Sequence, residues 1–401
     1  MQSPRPILAA SISSSAHPVP AEPPFGVNEM RLSARQWLAA LAIAAAFVFT
    51  APRLWKHFEI FDTGSDYRIP YQLSKDYWLY QRWLAELSDP QQVAVIGDSV
   101  VWGEYVSRRG TLSHFLGAES ARPDRFINYA MNGLFPLALE GLIEHYAPSL
   151  HHRKIILHSN VLWMSSPQAD LSDEKEQVFN HSRLVPQFRP HISPYRADAS
   201  ERLSVLVERN VAFSAWVGHL QNAYFDQQNI PAWTLEAARQ ASPSGLAPHG
   251  RGMLRRFLEL EVPGELENDP QRGPQSPRHR PWTASGGEPA HFDWVALDKS
   301  VQWAAFQRLV QLLRQRGNDV LVIVGPFNEH MIAPEQRPTF RGLRDGIAAW
   351  LASERVPSIV PPTLASPLYA DASHPLTEGY AELAREISQD QTFRNWLARS
   401  R

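Results

Sequence analysis

Two short segments of this chain carry residue types that can do chemistry together. The first is Val95-Ile96-Gly97-Asp98-Ser99-Val100, a serine directly after an apolar run. The second, near the far end, is Asp371-Ala372-Ser373-His374-Pro375. A serine hydroxyl is a weak nucleophile until a base takes its proton. His374 can be that base, and a carboxylate beside it would fix the imidazole tautomer and steady the imidazolium. The spacing Asp-x-x-His lets a single turn place Asp371 against His374. Gly-Asp-Ser alone is also an ordinary turn with a helix N-cap; the distant Asp-His pair gives it a chemical reading, which is acyl transfer through Ser99. That chemistry calls for no cofactor and no metal. Only the fold can bring the two segments together.

The elements needed to position them are legible as hydrophobic runs. Gln92–Gly97, Arg125–Ala130, Lys154–Ser159 and Asp319–Val324 read as buried strands, and Ser358–Val360 as a short fifth. Helical periodicity occupies 71–87, 103–118, 135–147, 297–316, 339–353 and 377–389, the last with Thr377 as its expected cap. Strands alternating with helices predict an α/β fold, a three-layer sandwich around a mostly parallel five-stranded sheet. In such sheets ligands bind beyond the carboxyl ends of the strands, which is where Ser99 stands. One interval, 162–296, breaks the rhythm. A patternless loop of that length is unusual in a compact domain, so it reads as an insertion. It holds an amphipathic helix over roughly 199–225 and a Pro/Gly/Arg-rich stretch over 242–290. Its Trp216, Trp233, Trp282 and Trp294 are candidates for a substrate groove as well as for ordinary packing.

GDSV at 97–100 and DASHP at 371–375 resemble blocks I and V of the SGNH (GDSL-like) hydrolases. Asn128-Tyr129-Ala130-Met131-Asn132-Gly133 looks like block II, and His158-Ser159-Asn160-Val161 sits where block III belongs. Block III is usually G-x-N-D; here only Asn160 matches, with His158 and Val161 in place of glycine and aspartate. The resemblance spans about 91–160 and 295–390 and leaves out the insertion. It implies a flavodoxin-like sandwich and carries over roles for named residues. Ser99 would attack the acyl carbon, His374 would relay its proton, and Asp371 would orient His374. The backbone N–H groups of Ser99 and Gly133, with the Asn160 side-chain amide, would form the oxyanion hole.

Other candidates read more plainly. Asn128, Asn132 and Asn328 lie near the expected site but are typical turn residues. His151, His152 and His158 lack a second ligand pair at metal spacing and read as surface and packing histidines. The basic stretch Arg272–Arg280 has no interleaved aromatics and reads as a solvated loop, not a nucleic-acid surface. No P-loop, dinucleotide fingerprint or G-x-S-x-G elbow occurs.

Composition bounds the rest. The chain has 401 residues, a net charge of −2 and no cysteine. Disulfides, thiolate metal sites and cysteine nucleophiles are excluded. Residues 1–29 are rich in Pro, Ser and Ala without periodicity and read as disordered. Trp37–Ala51 is an uncharged run of fifteen residues, about 22 Å as a helix. That is short of a hydrocarbon core of about 30 Å. The segment 36–55 reads as a marginal membrane span or signal anchor, with 56–90 leading into a domain at 91–401. A cleaved signal peptide and a buried soluble helix are rival readings, and Met30 is an alternative start. The expected topology is single-pass with the large domain extracytoplasmic (periplasmic).

These readings predict a membrane-anchored serine esterase or O-acyltransferase acting on O-acyl, for example acetyl, groups of a cell-envelope glycan or exopolysaccharide. Its substrate would be an acylated small molecule or glycan. A non-catalytic glycan-binding or assembly protein on a degenerate scaffold is the competing class. A lipase-like enzyme would need an apolar acyl pocket, for which the sequence has no visible pattern.

Overall fold

A computed structural model describes residues 32–61, 64, 66–87, 89–177, 179–225, 259–263 and 280–399. The tail 1–29, Met30, Trp233, most of 242–290 and all but the last residue of Arg272–Arg280 lie outside them. The chain divides into two units, Met1–Thr50 and Ala51–Arg401.

Helix α1, Ala34–Phe58, has 25 residues. At the standard rise it is about 37 Å long, longer than the apolar run alone predicts. The helix continues past that run through Pro52 and closes with Lys56 and His57 in its last turn. Its most apolar window has a mean hydropathy of 1.7. Trp37, Leu38, Leu41, Ile43, Phe47 and Phe49 are exposed, and only Pro52 is buried. Among the described residues it is the one helix long and apolar enough to cross a membrane, a property that signal sequences share.

The larger unit is built on five parallel strands: β1 (Val93–Ile96), β2 (Phe126–Asn128), β3 (Lys154–Ser159), β4 (Asp319–Val324) and β5 (Ser358–Ile359). Their order is β2-β1-β3-β4-β5, with every neighbouring pair parallel. This is a doubly wound order whose switch point lies between β1 and β3. The strands are continuous Val/Ile/Leu runs because both faces are covered. Alternate residues serve opposite faces: Ala94, Ile96, Ile155, Leu157, Val320 and Val322 join one core. Val93, Val95, Ile156, Leu321 and Ile323 join the other.

Helices α2 (Tyr77–Ala85) and α5 (Pro136–Tyr146) pack on the first face. So do α9 (Val301–Gln315) and α10 (Arg337–Ser353). Helices α3 (Ser99–Trp102), α4 (Leu112–Glu119), α11 (Thr377–Gln389) and α12 (Gln391–Ala398) pack on the second. Short α6 (Pro167–Asp170), then α7 (Ala199–Asn210) and α8 (Ala212–Tyr224), belong to the interval between β3 and α9. The segment before β1 is part of the same core: Tyr67, Ile69, Leu73 and every residue from Tyr77 to Tyr80 are buried.

Several expected helices differ. Those over 71–87 and 297–316 each open with a 3-10 turn, Tyr71–Leu73 and Leu297–Lys299, before a side-chain cap at Asp76 or Ser300 starts α2 or α9. The pattern over 103–118 is interrupted because Gly103 adopts φ +84° and ends α3, its N–H bonded to Ser99 O. A left-handed glycine stops a helix in this way. A 3-10 turn follows over Arg108–Gly110, and α-helix resumes only after Thr111, whose side chain caps α4. The pattern over 199–225 is two helices, because Val211 takes an extended conformation between them. Thr377 is not the cap of α11 but its first helical residue; Leu376 holds the cap position without a side-chain bond.

Candidate active site

Ser99 is delivered by β1. The chain leaves the strand at Gly97, where a Cβ would stand 2.8 Å from both His158 Cβ and Val101 Cγ2, so only glycine allows this approach. Asp98 then caps α3, accepting Val100 N–H at 3.0 Å. Ser99 is the first residue of that helix, with its neighbouring N–H groups at the positive helix end.

The partner loop comes from the far side of the sheet. Between β5 and α11, Tyr369 pairs with Pro375, and Ala370 N–H donates to His374 O at 2.8 Å. Within this loop Asp371 Oδ1 accepts the backbone N–H groups of Ser373 and His374, each at 2.9 Å. Asn328, after β4, clamps the loop: its N–H donates to Ala372 O and its Nδ2 to Asp371 O, both at 3.0 Å. It is fully buried and holds the loop, instead of facing a ligand.

The two segments meet. His374 Nε2 lies 2.9 Å from Ser99 Oγ, and His374 Nδ1 lies 2.8 Å from both Asp371 carboxylate oxygens. Burial disfavours a charge on His374. The Asp371 carboxylate, aided by Glu104 and Asp98, outweighs it and raises the imidazole to about 9. Burial works against ionised Asp371 as well, and His374 with the loop N–H groups overcomes it, holding the carboxyl near 2.

Asn160 stands one residue beyond β3. Its Oδ1 accepts Leu162 N–H at 3.0 Å, and its Nδ2 donates to Asp98 Oδ2 at 3.2 Å. One of its two amide protons is thereby taken, and Asn160 lines the cavity that holds Ser99. Asp98 is thus a hub: Trp163 Nε1 also donates to its Oδ2 at 3.0 Å. His158 Nδ1 stands 3.0 Å from its Oδ1, at ion-pair distance but without hydrogen-bond alignment. Burial opposes the charge on Asp98, and His158 with these donors keeps its carboxyl below the usual range.

Gly133 has φ +78°, and a Cβ there would lie 2.9 Å from Asn180 Nδ2. Its loop sits beside the Ser99 turn, with Met131 N–H donating to Gly97 O at 3.4 Å. The loop is also pinned from the insertion. His181 Nε2 donates to Asn132 O at 2.7 Å, and Tyr77 OH donates to His181 Nδ1 at 3.0 Å. Burial pushes His181 down to about 4, which suits this neutral relay. Asn128 plays a turn role, bonding Val101 O and Ala130 N–H.

Ser99, Asn160, Asp371 and His374 all line one cavity of about 300 Å³, walled by Phe135, Leu162, Trp163, Phe292 and Met331. Gly133 lines a neighbouring cavity of about 330 Å³, and Phe135 borders both. Trp216, Trp282 and Trp294 line neither. Trp216 packs on Trp55, Trp282 bonds Ser366 O, and Trp294 packs between Phe292 and Phe340. His158 is buried with its Nδ1 3.0 Å from Asp98 Oδ1, so it does more than the packing expected of it, whereas His151 and His152 are exposed.

Sequence reasoning missed Asp98 as a hub, Trp163 as its donor and Glu104, whose Oε2 lies 3.7 Å from His374 Nε2. Asp98 had a local signal, its place between Gly97 and Ser99. Trp163 and Glu104 had none, since both act across space. A hydroxyl on an imidazole on a carboxylate can attack an electrophilic carbon while passing its proton to the ring. No protein-family model matches the chain, and no curated protein matches it.

Proposed function

We propose that this protein is a membrane-anchored serine esterase or O-acyltransferase of the SGNH type. One observation carries the reading: His374 bridges Ser99 Oγ at 2.9 Å and the Asp371 carboxylate at 2.8 Å. Ser99 attacks an ester carbonyl, and His374 takes the hydroxyl proton and returns it to the leaving oxygen. Asp371 holds the tautomer that presents Nε2 to the serine. The oxyanion is received by the N–H groups of Ser99 and Gly133 and by Asn160. The cavity around Ser99 and the bonded loop behind His374 support this division of labour. The apolar α1 supports anchoring, with the larger unit extracytoplasmic and the substrate an O-acylated envelope glycan or a small acylated alcohol.

The test uses the full chain in detergent. A chromogenic acetyl ester should turn over, and a fluorophosphonate probe should label Ser99. Ser99→Ala should abolish labelling and lower turnover by about a thousandfold or more. Full labelling of Ser99→Ala would place the nucleophile elsewhere, and the absence of both labelling and ester turnover in the native protein would leave a binding role.

A further inference from the structure

The cavity that holds Ser99 and His374 takes part of its wall from the end of the insertion. It measures about 300 Å³, and its apolar side is built by Phe135, Leu162, Trp163, Ala290, Phe292 and Met331. Ala290 and Phe292 belong to a strap, 290–295, that runs between the segments following β3 and β4. Toward β4, Ala290 N–H donates to Met331 O at 2.7 Å, and Ala290 O accepts Ala333 N–H at 3.1 Å. Gln336 grips Phe292 with both ends of its amide: Oε1 accepts Phe292 N–H at 2.7 Å, and Nε2 donates to Phe292 O at 2.6 Å. Toward β3, Asp293 N–H donates to Ser165 O at 2.9 Å and Val295 N–H to Met164 O at 3.0 Å. The strap is thus bonded on both sides, which makes it a fixed wall of the cavity.

Apart from Ser373, the polar side chains of this cavity are those of the proposed chemistry. The Asp98 carboxylate is occupied by Val100, Asn160 and Trp163, and that of Asp371 by His374 and the loop N–H groups. A sugar ring seated here would set most of its hydroxyls against aromatic and aliphatic side chains, and an unpaired buried hydroxyl is costly. An acyl chain carries no such groups. The other flank of His374 is different. Glu104 Oε2 lies 3.7 Å from Nε2, and the Tyr105 ring meets the imidazole edge-on at 5.1 Å. Glu104 and Tyr105 are half-buried and do not line the cavity. The two halves of an ester therefore find unlike surroundings, apolar beside the strap and polar beside Glu104.

We infer that the cavity bounded by the strap seats the acyl half of the ester, that the preferred acyl group is a linear apolar chain of about four to six carbons, and that the alcohol lies on the Glu104 side. This rests on the serine chemistry proposed above. Ser99 Oγ bonds to the carbonyl carbon, the bond from that carbon to the alcohol oxygen breaks, and the Oγ proton passes through His374 Nε2 to that oxygen. The acyl chain stays on Ser99, inside the cavity, until water or an acceptor hydroxyl takes it by the reverse sequence. At about 30 Å³ per water-sized group the cavity has room for roughly ten, where an acetyl fills about three. Each methylene seated against an apolar wall is worth up to about fourfold in kcat/KM.

The experiment reads kcat/KM of the full chain in detergent for two series: p-nitrophenyl esters from acetate to octanoate, and acetates of alcohols from ethanol to hexanol. The native protein should prefer hexanoate over acetate by about tenfold or more, and respond less than about threefold to the length of the alcohol. Ala290→Leu, which fills the cavity, should cut the hexanoate-to-acetate ratio by about fivefold or more. Gln336→Ala releases the strap from outside the cavity. It should cut the same ratio by raising KM for hexanoate, and it provides an independent test if the first variant does not fold. General damage to the fold would lower all esters alike and leave the ratio in place. A native preference for acetate, a dependence on the alcohol series instead of the acyl series, or an unchanged ratio in both variants would overturn the pocket assignment. Absence of all ester turnover and of fluorophosphonate labelling in the native protein would instead overturn the serine chemistry, so the two failures are distinguishable.

Discussion

At the residue scale, two carboxylates near the serine separate positioning from tuning. Asp98 touches Val100 N–H, Asn160 Nδ2 and Trp163 Nε1 at once. Asp98→Ala removes a helix cap, worth about 1 kcal/mol, and frees the Asn160 amide from its anchor. We expect kcat to fall by about tenfold to a hundredfold with KM of a short ester little changed, as measured by steady-state kinetics. Glu104 acts through charge. A base must be neutral to accept the serine proton, so activity should rise with pH as His374 loses its proton. With His374 raised to about 9 by Asp371, Glu104 and Asp98, that limb lies above the ordinary histidine value. Glu104→Gln removes one of the negative charges that favour the imidazolium. The limb of kcat/KM should move to lower pH by about one unit, and a pH–rate profile of both proteins checks it.

At the element scale, the least expected feature joins the segment after α1 to α8. His219 on α8 is fully buried between Glu59 Oε1 and Asp76 Oδ2, each at 2.7 Å. Glu59 also accepts Tyr224 OH at 2.6 Å and Trp55 Nε1 at 3.0 Å, and pairs with Arg82. Trp78 stacks on the His219 ring at 4.3 Å. Burial disfavours a charged His219, but the two carboxylates outweigh it and raise the imidazole to about 9. The folded state therefore binds this proton more tightly than the unfolded state. The resulting stability is complete below about pH 6.5 and is lost as pH rises through about 9. His219→Ala removes the cation shared by two buried carboxylates and should cost about 3 kcal/mol, read by urea unfolding at neutral pH. In that variant the alkaline loss of stability between those pH values should shrink.

At the scale of the whole molecule, the division near Thr50 and Ala51 makes a truncation prediction. Removing residues 1–50 keeps Trp55, Glu59 and the buried stretch from Tyr67 onward. That protein should stay soluble without detergent and retain ester turnover within about twofold. Removing residues 1–66 deletes Glu59 from the His219 network. It should lower the thermal midpoint by several degrees, as expected for a loss of a few kcal/mol in a large domain. Membrane fractionation of the full chain beside the shorter protein tests the role of α1.

Much of the architecture was written locally. Lys154–Ser159 and Asp319–Val324 are strands over the residues their apolar runs mark, because a strand buried on both faces needs only a continuous run. The nearness of Asp371 to His374 was also local, since one turn spans it. The helix breaks at Gly103 and Val211 were hidden, because periodicity records which face is apolar and not a single backbone angle that interrupts it. What no local pattern contains is the meeting of Ser99 with His374, the service of Asp98 to Asn160 and Trp163, and the wall that the end of the insertion builds beside Ser99. Each joins residues whose proximity arises only when parallel strands distant in sequence pair and set their carboxyl ends along one edge. The sequence by itself determined which elements form and which side chains stand at their ends. The tertiary structure alone decided which of those ends became neighbours, because strand order is a property of the packed sheet and not of any one strand.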